Sequence, residues 1–162
     1  GWFYRGDQAN YKVEDVMDMY YRTVGHGAVF IPNYAPDKEG RMPDAVLEHA
    51  HGWGDRIRKT FDKPVAETKG TGNGMVLRFE KCATIDHIVL MEGLRKGQKV
   101  EAFHIDSMND DGEWETLWRG KTIGHKVIKK ISPAKTDSLR FVCTDSNADD
   151  PEIRSFAACS ST

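Results

Sequence analysis

The chain has 162 residues, of which 39% are hydrophobic and 30% charged. That balance gives enough apolar area for a folded core and excludes a disordered polymer, and the length suits one domain, or one domain with part of another. Lys and Arg number 23 against 25 Asp and Glu, a net charge of -2, which excludes the basic excess of a general nucleic-acid binder; no run of about 18 apolar residues exists to form a membrane-spanning helix.

The opening Gly1-Trp2-Phe3-Tyr4-Arg5 lacks the charged and apolar regions of a signal peptide. It reads as a start inside a longer gene or as a processing scar, and secretion stays open. Next, Val13, Val16, Met17, Tyr20 and Tyr21 recur at spacings of three and four, which predicts an amphipathic helix from Val13 to Val24, stopped by Gly25 and Gly27. The apolar run Ala28-Val29-Phe30-Ile31 has no polar face and predicts a buried parallel strand, cut short by Pro32. A Pro/Asp/Gly loop follows from Tyr34 to Gly40. Pro43 to Phe61 predicts a second helix, with Val46, Ala50, Trp53, Ile57 and Phe61 along one face. Helix, strand, loop, helix is close to one α/β repeat. A single parallel strand makes no sheet, so this segment either packs on the second half or belonged to a larger barrel.

Beyond Lys63-Pro64 the period changes. Met75–Glu80, Thr84–Glu92, Lys99–Met108, Glu113–Arg119, Lys126–Ile131, Ser138–Thr144 and Ile153–Cys159 are short runs rich in Val, Ile, Phe and Trp, with turn residues between them. Such spacing predicts a β-sandwich. Asn109-Asp110-Asp111-Gly112 is a turn, and the imperfect alternation of Val100, Phe103, Ile105 and Met108 predicts a bulge. Cys82, Cys143 and Cys159 cannot all pair and show no zinc spacing, so they read as buried free thiols on strands.

Tyr20-Tyr21-Arg22-Thr23-Val24-Gly25-His26-Gly27-Ala28, then Phe30-Ile31-Pro32-Asn33-Tyr34-Ala35-Pro36-Asp37 and Gly40, resembles the last βα unit of the catalytic barrel of glycoside hydrolase family 29, the α-L-fucosidases. Gly1-Trp2-Phe3-Tyr4 resembles the aromatic run before that helix, and Leu47 to Phe61 resembles the closing helix of the barrel. Val89-Leu90-Met91-Glu92, Gly97-Gln98-Lys99-Val100, Trp114, Ile123-Gly124-His125-Lys126, Ser138-Leu139-Arg140 and Pro151-Glu152-Ile153-Arg154-Ser155-Phe156-Ala157 resemble the appended galactose-binding-like, discoidin-type (F5/8 type C) sandwich. Pro32 departs from the apolar strand of the family. The resemblance implies a mainly β chain: a galactose-binding-like jelly-roll β-sandwich over 63–162, preceded over 1–62 by a helix-strand-helix remnant of a (β/α)8 barrel. It also implies a periplasmic or secreted setting rather than a cytoplasmic one.

A retaining glycosidase needs two carboxylates about 5 Å apart. In the resembling family both lie upstream of these residues, so no catalytic role is assigned here; Asp7, Glu14 and Asp15 read as a solvated loop and a helix N-terminus. Trp2 and Phe3 are candidates for stacking on fucose in an intact parent enzyme, with plain loop packing as the alternative. For sugar binding by the sandwich, the eligible residues are Trp114, Trp118, Glu92, Arg95, His125 and Arg154; Trp114 and Trp118, four apart on a predicted strand, should share a face, with one of them a core candidate. His49 and His51 are two apart on a helix, share no face, and read as solvent-facing histidines rather than metal ligands. The acidic loops Asn109–Asp111 and Asp145–Asp150 offer a structural calcium site or, more simply, Asx-rich turns; no other cofactor is expected.

Three readings follow. The chain is the C-terminal fragment of a fucosidase-like hydrolase, inactive alone; or the sandwich is a carbohydrate-binding module for fucosylated or galactose-containing glycans; or it only buttresses the barrel. Partners are then a glycan and the rest of the catalytic barrel, with neither nucleic acid nor membrane. Residues 63–162 are expected to be the stable unit, with 1–62 packed on it or only partly ordered, leaving an apolar patch that favours self-association.

Overall fold

A computed structural model describes residues 3–4, 12–147 and 149–162. Helix α1 spans Val13–Thr23 and passes into a 3-10 turn, Val24–His26. Glu14 and Asp15 lie in its first turn, where acidic side chains complement the helix dipole, and the Asp15 carboxylate accepts from the Lys12 N–H at 3.1 Å. Gly27 ends the turn at φ 77°, against the Lys126 carbonyl, where a side chain would be strained. Helix α2 spans Asp44–Phe61, and the predicted face is the one turned inward, with Val46 buried and Ala50, Trp53, Ile57 and Phe61 half-buried.

The strand predicted at 28–31 does not form. Residues 28–37 run without regular structure, and Val29 and Ile31 are 81% and 84% exposed. A parallel strand holds only where a neighbour takes its N–H and C=O groups, and no strand among the described residues pairs with this segment. Phe30 is held instead by the edge of Trp53, with ring centroids 6.1 Å apart.

Six antiparallel strands follow: β1 (Ala66–Thr71), β2 (Gly74–Glu92), β3 (Val100–Met108), β4 (Trp114–Gly120), β5 (Val127–Ser146) and β6 (Glu152–Cys159), in spatial order β1-β6-β2-β5-β3-β4. Two predicted pairs of short strands are thus two long ones. β2 pairs with β5 over 74–78 and again over 83–90, with register shifts between Arg78 and Ala83 and between Ile85 and His87. Such bulges turn a strand without ending its ladder, and Pro133, which donates no hydrogen bond, falls at the second shift. The single sheet therefore folds on itself. One layer holds β1, β6, the second half of β2 and the first half of β5. The other holds the remaining halves with β3 and β4.

Between the layers lies one apolar core, including Ile85, Ile88, Leu90, Phe103, Ile105, Leu139, Phe141, Ile153 and Phe156, all at 2% exposure or less. Each such side chain contributes about 1.5–3 kcal/mol by leaving water. The helices bury only Val16, Met17 and Val46 among apolar side chains, so the sandwich dominates the stability. They cover the outer face of the first layer: Tyr20, Tyr21 and Phe61 pack on Val89, Ile128, Ala157 and Cys159. That contact explains why β2 is buried on both faces from Ile85 to Leu90.

β1 escaped the sequence reading because Ala-Glu-Thr-Lys-Gly-Thr carries no large apolar residue. It is an edge strand, broken by a register shift between Thr68 and Gly70, and both features discourage pairing with other chains.

All three cysteines are free; Cys143 and Cys159 are buried but Cys82 is exposed, contrary to expectation, because it falls in the bulge of β2. Burial, with help from Glu67 and Asp86, pushes the Cys159 thiol up to about 12, and burial also raises Cys143. A thiol reagent is therefore expected to label Cys82 alone in the native protein and all three cysteines in denaturant, as read by mass spectrometry. Rapid native labelling of Cys159 would contradict this core.

Candidate functional site: a cleft at the rim of the sandwich

Glu92 ends β2 and is 1% exposed. Its carboxylate accepts from three backbone amides: Oε1 from Lys99 at 2.5 Å and Val100 at 3.0 Å, Oε2 from Gly124 at 3.2 Å. The Glu92 amide in turn donates to the Gly124 carbonyl at 3.0 Å, and Gly93 donates to the Glu152 carbonyl at 2.8 Å. Glu92 and Gly93 thus join the end of β2 to the start of β3, the loop before β5 and the start of β6. These segments enclose a cleft of about 400 Å³ lined by Glu92, Gly93, Leu94, Arg95, His125, Glu152 and Arg154.

Arg154 reaches the cleft because of a bulge. Met91 pairs with Ser155 but Glu92 with Ile153, so Arg154 has no partner on β2, and β1 shifts register beside it. A bulge re-aims the side chain it carries. The guanidinium lies 3.3 Å from the Met91 sulfur and donates to the His125 carbonyl at 3.4 Å. Among the described residues no carboxylate lies within 4.0 Å of either Arg154 or Arg95. Glu152 packs over Gly93, filling the space where a Cβ on residue 93 would be.

Four candidates from the sequence, Glu92, Arg95, His125 and Arg154, therefore converge on one cleft. Glu92 holds its floor rather than facing solvent. Glu152 was missed, although its spacing of two from Arg154 on a strand signals a common side. The other candidates lie elsewhere. Trp2 is outside the described residues, and so is Asp7; Phe3 is 82% exposed. Trp118 pairs with Ile105 and meets Phe103 edge-on at 4.8 Å, so it faces the core. Trp114 pairs with Met108 and lies under the Arg140 guanidinium at 4.6 Å. A register shift at Leu117 puts the two tryptophans on opposite faces, which corrects the expectation that they share one. Arg140 also donates twice to Asp106, at 3.0 and 2.7 Å, and Thr116 donates to the same carboxylate at 2.9 Å.

The histidines divide similarly. His51 is exposed, whereas His49 is half-buried beside Tyr34 rather than solvent-facing. The Asn109 side chain accepts from the amides of Asp111 and Glu113, as an Asx turn does. Among the described residues no three His, Cys, Asp or Glu side chains cluster as a metal site.

A second polar array lies under α1. His87, 1% exposed, is 2.6 Å from Asp86 through Nδ1 and 2.8 Å from the Tyr21 hydroxyl through Nε2. Asp86 also accepts from the amide of Ser161 at 3.0 Å and from its hydroxyl. Burial, then the Asp86 charge, pushes the Tyr21 hydroxyl up to about 12. It therefore stays protonated and donates to His87, whose Nδ1–H donates to Asp86. Burial tends to raise Asp86, but the hydrogen bonds from Ser161 and His87 outweigh it and hold the carboxyl below its usual value. With His87 buried, this array serves to fasten α1 and residue 161 to β2.

An antiparallel sheet folded over one apolar core is a β-sandwich. The family 32 module of Streptococcus pneumoniae EndoD superposes with a TM-score of 0.50 at 15% identity, over 57% of this chain and 75% of that one, which is a likeness of fold. The homologues that span the helices as well are α-L-fucosidases of glycoside hydrolase family 29. A structure from Bacteroides thetaiotaomicron assigned to the α-L-fucosidases superposes with a TM-score of 0.92 at 29% identity, over 99% of this chain and 37% of that one. Alpha-L-fucosidase 1 of Arabidopsis thaliana is 22% identical over 185 residues, covering 92% of this chain. The chain spans 37% of that relative's length. No family model matches.

Proposed function

We propose that this chain works as the barrel-end and sandwich portion of an α-L-fucosidase-like retaining glycoside hydrolase, and that its sandwich is an accessory domain that binds carbohydrate through the rim cleft. One observation carries the reading. The likeness to the fucosidase structure runs through helices and sandwich together, 99% of the chain, whereas the likeness to the binding module covers 57%. A stand-alone lectin has no need of α1, α2 or the extended segment between them. In this reading residues 1–62 are the last α/β unit of the barrel, 63–162 are the sandwich, and the unpaired segment at 28–33 meets its neighbouring strands in the rest of that barrel. The exposed Val29 and Ile31 would also favour self-association. The parent would cleave α-linked L-fucose by double displacement with carboxylates outside this chain.

Arg95, His125 and Arg154 are the proposed sugar contacts. The test is an amide NMR titration with fucose, galactose and a fucosylated oligosaccharide. Saturable shifts confined to residues 92–97, 123–126 and 152–154 are expected. A dispersed spectrum that no sugar moves would leave the second reading, a purely structural appendage. The Tyr21-His87-Asp86 array and the seat of Phe61 on the sheet favour that reading.

A further inference from the structure

We infer that the rim cleft is selective for saccharides bearing an anionic substituent, a carboxylate or a sulfate, over neutral ones; the inference rests on the reading of this cleft as a sugar site. Neutral sugars are held by an aromatic ring against their C–H face together with hydrogen bonds. No Trp, Tyr or Phe lines the cleft, and the two sandwich tryptophans are placed elsewhere, Trp118 against the core and Trp114 under Arg140. What the cleft does offer is two guanidiniums, Arg95 and Arg154, neither of them ion-paired among the described residues. Guanidinium forks match the planar oxygens of carboxylates and the oxygens of sulfate.

Two carboxylates balance the two guanidiniums in formal charge, so the selectivity rests on which groups a ligand can reach. Three amide N–H groups already surround Glu92. Glu152 is the one lining carboxylate left open, and it packs over Gly93. A bulge that aims Arg154, unpaired among the described residues, into a cleft also lined by Arg95 is an arrangement that a bound anion would complete.

The experiment compares galactose, galacturonate and galactose 6-sulfate as ligands of the whole chain by calorimetry and amide NMR, at low and high salt, with inorganic sulfate as the control for the ion alone. Galacturonate or the sulfated sugar is expected to bind about tenfold more tightly than galactose, the gain shrinking with salt; whichever acid is preferred identifies the substituent. Arg154→Met should erase the preference, with an unchanged NMR spectrum elsewhere certifying the fold. Glu152→Gln should raise affinity for the acids, whereas a Glu152 that serves as acceptor for sugar hydroxyls would make the same variant weaker. Galactose binding as tightly as its acidic counterparts overturns the inference while leaving the cleft a sugar site. Sulfate ion binding as tightly as the sulfated sugar also overturns it, since no sugar is then recognised. Binding of none of these ligands removes the sugar-site reading and the inference together.

Discussion

Glu92→Ala is expected to cost the sandwich about 3–5 kcal/mol, from three backbone donors left buried without an acceptor at about 1–3 kcal/mol each, some of them recovering water. For a chain of this size that lowers the melting temperature by roughly 6–20 °C. Glu92→Gln keeps one carbonyl oxygen and should cost about half as much. Thermal and urea melts of both variants decide the matter. A Glu92→Ala protein as stable as the parent would mean that the carboxylate does not organise the rim. Because this side chain ties the 123–126 loop and the start of β3 to the end of β2, the same substitution should loosen the His125 side of the cleft. Loss of sugar binding in Glu92→Ala therefore reports on architecture, and only Arg154, Arg95 and His125 report on recognition.

Acid should loosen α1 from the sheet through Asp86. Its pKa is depressed in the folded protein, so its contribution is present above the unfolded carboxyl value near 3.9 and is lost as pH falls through the lower folded value. Tyr21 has the opposite sign. Its pKa is raised to about 12, so its contribution is complete below about 10, the ordinary tyrosine value, and is lost as pH climbs toward that raised value. Stability followed by urea denaturation should fall at both ends. Asp86→Asn should flatten the acid limb and Tyr21→Phe the alkaline limb, the latter at about 1 kcal/mol near neutrality because the ring still packs on Phe61. Asp86→Ala leaves His87 buried with an unmatched Nδ1–H and should cost about 2–3 kcal/mol. An unchanged acid limb in Asp86→Asn would remove Asp86 from this account.

The strand alternation of the second half and the periodic helix faces of the first were legible in the sequence because both follow from burying one face of a regular element. What escaped was set by neighbours. Continuity of β2 and β5 depends on bulges that no residue type announces. Val29-Phe30-Ile31 has strand composition, yet a strand is a property of two segments. The same limit governed the candidate site. Arg95, His125 and Arg154 were chosen for their chemistry, and their meeting in one cleft came from the topology. Trp114 and Trp118 were separated by a single inserted residue that reversed which face the second one takes. Nothing near His87 in sequence points to Tyr21, its partner 66 residues away.

The place of β6 between β1 and β2 constrains the order in which the protein can assemble. On a ribosome, α1, α2, β1 and most of β2 emerge long before residues 152–159. Until those residues arrive, β1 has no strand to pair with. The seat for Tyr20, Tyr21 and Phe61 also lacks Ala157 and Cys159 until then. The helices are made before the strands they dock on, so until β6 arrives the face of Tyr20, Tyr21 and Phe61 lacks part of its seat and is open to whatever else can cover it. Pairings this distant in sequence form slowly. A chaperone that shields these stripes during translation should therefore raise the yield of folded protein more than one acting after release.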